Sequence, residues 1–196
     1  MGEIKSAAEI AREKIEKLGE ITEEERLQWK FAPEGEKLAA RYLKENCNLT
    51  SEIAKFDNKA KPIIIKGIND ILLRNIGLPR NQAARTSTKK AMDGIKAIKN
   101  DKVAVENVFS KIRHILDHYT QQGEQQKKQA YEALKKEFEE KIQQALKQQT
   151  GVNARMKIDV EKQPQFVEEW QRLQSRLEGQ YLTLLDEYKQ ELAAIN

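Results

Sequence analysis

The chain has 196 residues, 34% of them charged, 39% hydrophobic and 6% aromatic, with 9 glycines and 4 prolines. This is the composition of a helix-rich protein and excludes collagen, a sandwich or a barrel. Net charge is +4, but it is unevenly spread. Residues 1–54 sum to −3, residues 55–99 to +8 and residues 100–196 to −1. Such a basic block attracts an anionic partner or neutralises acidic helices of its own chain.

The longest apolar run, Pro62–Ile65, is far short of the ~20 residues that span a bilayer. No membrane partner is expected. The charged start has no apolar leader segment. Met1-Gly2-x-x-x-Ser6 loosely fits a myristoylation pattern, but Ser6 falls inside an ordinary helix start. The single cysteine, Cys47, points to a reducing cytoplasm.

In chain order, Glu3–Leu18 reads as a solvated helix with a thin stripe of Ile4, Ala7, Ala8, Ala11, Ile15 and Leu18. Thr22-x-x-Glu25 is a capping box that opens a second helix. Pro33 is expected to break or kink it near Phe31–Ala32, with Glu36–Glu45 resuming. Ser51–Lys59 is a short helix anchored by Ile53 and Phe56. Pro62 then opens a helix with Ile64, Ile68, Ile71 and Leu72 inward, ended by Gly77-Leu78-Pro79. Further helices cover 81–99 and 102–119, the latter with Val105, Val108, Phe109, Ile112, Ile115 and Leu116 inward.

The last third is glutamine-rich. Its apolar positions are Tyr131, Leu134, Phe138, Ile142 and Ala145, then Trp170, Leu173, Leu177, Tyr181, Leu184, Tyr188, Leu192 and Ile195. Both sets repeat every 11 residues, a period that packs helices nearly straight rather than as a zipper. Between them Met156, Ile158 and Val160 alternate with polar residues, the pattern of a short strand over 156–160 or of an extended linker. The linker reading needs no partner strand. The expected architecture is therefore all-α, with seven or eight helices. A body spans 1–119 with its basic segment at 55–99, and a long helical pair spans 120–196 with a linker at 150–164.

Chemistry is sparse. There is no glycine-rich phosphate loop, and no cofactor motif of any kind. His114 and His118 share a helical face and are the only metal-ligand candidates, two where a structural site needs four. Carboxylate pairs such as Glu139-Glu140 are surface decoration at this charge density. The sharpest signal is a row of cations, Arg85, Lys89, Lys96 and Lys99, within about 40° of one line on a helix. It follows a tight turn and Arg80-Asn81-Gln82, the outline of a helix-turn-helix in which Arg80 and Gln82 could also contact bases.

The opening Glu3–Ala11 segment, the following Thr22-Glu23-Glu24-Glu25 and the Ile158-Asp159-Val160…Trp170 arrangement resemble an uncharacterised bacterial protein family. That resemblance implies no activity and transfers no site.

Three functions follow as expectations. The first is a non-catalytic interaction or scaffold protein that self-associates or binds partner helices through Trp170, Leu173, Leu177, Tyr181, Leu184 and Tyr188, a homodimer above all. The second is nucleic-acid binding through Arg80, Gln82, Arg85, Lys89, Lys96 and Lys99. The third and weakest is an enzyme with a site between the body and the long helices.

Overall fold

The computed structural model describes residues 22–45, 47–150 and 159–196. The expected helix at Glu3–Leu18 lies outside these residues, as do positions 156–158 of the alternating segment. The described residues are mostly helical, with short turns between the helices and no strand among them. They form two compact units, one ending at Arg74 and one running from Asn75 to Asn196.

The first unit contains α1 (Glu23–Lys44), α2 (Leu49–Ala54) and α3 (Lys61–Arg74). Thr22 caps α1 as expected. Its hydroxyl accepts from Glu25 N–H at 3.2 Å, and Glu25 Oε2 accepts from Thr22 N–H at 2.9 Å. Asn48 caps α2 by accepting from Ser51 N–H at 3.1 Å. The break expected at Pro33 does not occur, because α1 runs through it. Pro33 sits on the exposed side. Its cost, about 3 kcal/mol in a free helix, is offset by packing on both sides of it. Gly35 lies against the Ile64 carbonyl and Gly67, and Leu38 and Ala39 are buried beyond it. From α3, Ile64, Ile68 and Leu72 are fully buried, while Ile71 is half-buried.

The second unit contains α4 (Gln82–Ile98), α5 (Lys102–His118), α6 (Glu124–Thr150) and α7 (Pro164–Ala194). Asn81 and Asp101 cap α4 and α5, accepting from Ala84 N–H at 2.8 Å and Ala104 N–H at 2.9 Å. Val105, Val108, Phe109, Ile112 and Ile115 carry the α5 core, as the spacing predicts. The compositional change near 119–120 falls on a π-helical turn, Tyr119–Gly123, that joins α5 to α6. Val160 opens a single 3-10 turn, Val160–Lys162, and its buried side chain packs with Leu134 and Phe166. Tyr131, Phe138 and Trp170 surround that cluster, with Tyr131 and Trp170 edge-on at 5.0 Å. The two long apolar stripes thus meet each other within one chain at this end of α7.

Candidate functional site

The second unit is organised around one carboxylate. Glu178 of α7 is 4% exposed. Tyr119, at the start of the π turn, donates to its Oε1 at 2.8 Å. Arg80 reaches Oε2 at 2.5 Å, and Lys127 of α6 lies 3.6 Å from Oε1. Arg80 is placed by the turn before α4. There the Thr88 hydroxyl accepts from Gly77 N–H at 3.1 Å and donates to the Gly77 carbonyl at 3.2 Å.

The π turn is what brings Tyr119 in. A π bulge adds a residue to the helix and rotates the side chains that follow. Gly123 closes the turn where a Cβ would stand 3.0 Å from the Tyr119 ring and 3.3 Å from the Tyr181 hydroxyl. Tyr181 therefore fits over it, edge-on to Tyr119 at 5.2 Å, with its hydroxyl 3.0 Å from His118 Nδ1.

Burial is the largest influence on Glu178 and pushes its carboxyl upward. The hydrogen bonds from Arg80 and Tyr119 outweigh it, so the net shift is downward and the group stays ionised. Tyr119 is pushed up to about 12, first by its burial and then by its bond to the Glu178 carboxylate. The hydroxyl is held protonated as a donor, so this cluster is a lock rather than an acid–base pair.

Beside the lock, α4 and α5 enclose an open cleft of about 470 Å3. Its floor includes Met92, Phe109 and Leu116. The expected cationic row lies along it but is largely engaged by the chain itself. Lys96 and Arg113 both bind Glu106, at 2.8 and 2.5 Å, and hold its carboxyl below the usual range. Arg85 lies 3.9 Å from Glu124. Lys99 leaves the row altogether. It is buried, and its ammonium donates to the Ala193 and Ile195 carbonyls at the end of α7. A cation is favoured there by the helix dipole and the free carbonyls. With Arg80 held by Glu178, only Gln82 and Lys89 of the six candidate nucleic-acid residues have no side-chain hydrogen bond or ion pair among the described residues.

The histidines separate in environment. His118 Nδ1 faces Tyr181, and His114 is exposed one turn earlier. No group of three or more metal-ligating side chains occurs among the described residues.

The candidate interface residues divide along α7. Trp170 and Leu173 pack against the Leu134–Val160–Phe166 cluster, and Tyr181 joins the lock. Leu177, Leu184 and Tyr188 form an outer row, within about 20° of one line. Tyr188 carries the Lys111 ammonium over its ring at 5.3 Å. The core row is a different one. Glu178 and Leu185, each one residue along, are buried, as is Leu192, with Leu185 at 0% against 42% for Leu184. The sequence reading missed Glu178, Leu185 and Phe166. The signal was the seven-residue spacing of Glu178, Leu185 and Leu192, masked because one member is charged.

The fold and lock define an all-α protein with no recognisable catalytic constellation among its described residues. The chain belongs to a family of unknown function, DUF6657, whose pattern matches residues 50–194. This agrees with the uncharacterised family that the chain ends resemble, and the matched span holds α3 to α7, all but the last two residues of the second unit. No curated protein and no solved structure matches the chain.

Proposed function

We propose that this protein is a non-catalytic helical interaction protein that self-associates through the outer row of α7. The observation that carries this reading is Leu184, a large apolar side chain 42% exposed between half-buried Leu177 and Tyr188. A second copy covers such a row by symmetry, since a two-fold interface uses the same patch twice. Antiparallel alignment about Gln180–Tyr181 sets Leu177 opposite Leu184 of the second copy and Leu173 opposite Tyr188. It also brings Arg176 beside Glu187. Both are exposed, and neither has an ion-pair partner among the described residues. The reading includes a reducing, cytoplasmic setting, which rests on the single cysteine. Nucleic-acid binding along α4 has less support, because the chain's own acceptors engage most of its cations.

The test is light scattering through a sizing column. The unaltered protein is expected at twice the monomer mass. Leu184→Glu is expected at monomer mass with an unchanged circular dichroism spectrum. Arg176→Glu and Glu187→Arg each weaken the dimer, and the double exchange restores it. A monomeric unaltered protein at tens of micromolar overturns the reading.

A further inference from the structure

A second surface lies in the first unit, along the seam between α1 and α3. Two adjoining hollows, of about 800 and 430 Å3, share Gln28 and Ile63 and so form one groove. It runs from Thr22 to Glu36 along α1, about 21 Å or four helical turns. The groove is narrower at its Gly67 end, where α1 and α3 approach closely, and wider toward the start of α1.

Leu27, Ala32, Pro33 and Ile63 supply its apolar lining, where a bound helix would rest. Trp29 stands at its rim with 70% of its surface exposed. An exposed tryptophan beside a groove is the residue type that most often dominates a protein interface.

The groove is acidic in a chain whose net charge is +4. Glu23, Glu24, Glu36 and Asp70 face Lys59 and Lys66. Lys59 is spent on Glu23 at 3.1 Å. Glu24, Glu36 and Asp70 have no ion-pair partner among the described residues, against one such cation, Lys66.

We infer that this groove receives a basic amphipathic helix from another protein, with Trp29 as its apolar anchor. Length, an apolar floor and unpaired carboxylates match the helix-in-groove mode, read by anchors at i, i+3 or i+4 and i+7. Carboxylates on the walls select lysine- or arginine-flanked helices and reject acidic ones. The surface is on a different unit from the α7 row, so binding does not depend on self-association.

The probe is a fluorescein-labelled 18-residue peptide of leucine and lysine patterned as an amphipathic helix, followed by anisotropy against the full chain. Saturable one-to-one binding is expected, equal for the unaltered protein and for Leu184→Glu. Trp29→Ala weakens it about thirtyfold, as loss of a hot spot does. Glu36→Lys with Asp70→Lys weakens it too, and the leucine–glutamate counterpart does not bind. Trp29, Glu36 and Asp70 lie at the surface or half-buried, so these variants retain the fold, which circular dichroism checks. Absence of saturable binding overturns the inference. So does equal binding of the acidic peptide, or affinity that ignores both Trp29 and the charge reversal.

Discussion

Tyr119 donates a hydrogen bond to Glu178 across 59 positions of sequence, at 2.8 Å and out of contact with water. That bond ties the π turn to α7, and Arg80 ties the turn before α4 to the same carboxylate. One acid therefore fixes the phase of three segments.

Glu178→Ala removes the acceptor shared by Arg80 and Tyr119. Arg80 is half-exposed and regains water, so the cost is mainly that of the buried Tyr119 hydroxyl left without an acceptor, about 1–3 kcal/mol. Tyr119→Phe, which leaves Arg80 in place, costs less, about 1 kcal/mol. Chemical denaturation of the two variants measures both, and an Ala variant as stable as the parent contradicts the role given to Glu178.

Stability responds to pH at two ends. The Glu178 carboxyl is lowered in the fold, so its contribution is complete above the unfolded value, about 4.3, and is lost as pH falls through the folded value. Tyr119 is raised to about 12, so its contribution is complete below the unfolded value near 10 and is lost between there and about 12. Denaturant midpoints across pH should show a plateau with both shoulders. Glu178→Gln flattens the acid shoulder and Tyr119→Phe the alkaline one.

Two glycine substitutions should act in opposite directions. A Cβ on Gly35 would lie 2.5 Å from the Ile64 carbonyl oxygen, a backbone atom that cannot swing aside. Gly35→Ala forces α1 and α3 apart and costs about 1–3 kcal/mol. At Gly179 in α7 a Cβ meets nothing within 4 Å. Gly179→Ala gains up to about 1 kcal/mol of helix propensity. Thermal denaturation of the pair gives shifts of opposite sign.

Lys99→Met removes the charged donor from the last carbonyls of α7 while keeping the apolar stem. The loss is about 1–3 kcal/mol. Hydrogen exchange should locate it in the last turns of α7 and at Asn100 and Asp101, whose N–H groups donate to the Asn196 carbonyl at 3.1 and 3.2 Å.

Much of the local structure was legible in the residues. The Thr22–Glu25 box and the α5 core row depend on neighbours a few positions apart, and spacing alone reveals them. Pro33 was misread because intrinsic propensity disfavours it, while the close crossing at Gly35 and Gly67 holds the helix on either side. Lys99 was read as a surface cation because its acceptors, Ala193 and Ile195, are more than ninety positions away. For the same reason the acidic groove beneath Trp29 is invisible in sequence, since α1 and α3 each supply one wall.

The sequence by itself determined that the chain is all-α, where α1 and α5 start and which face of α5 is buried. These are properties of 3.6-residue periodicity and of caps that close within one turn. Only the tertiary structure decided that Leu185 rather than Leu184 enters the core, that Glu178 is buried and ionised, and that Lys99 ends a helix. Each of those choices turns on which remote donor or surface arrives, and a shift of one residue rotates a helical side chain by about 100°. Local spacing leaves that phase open until another segment packs against it.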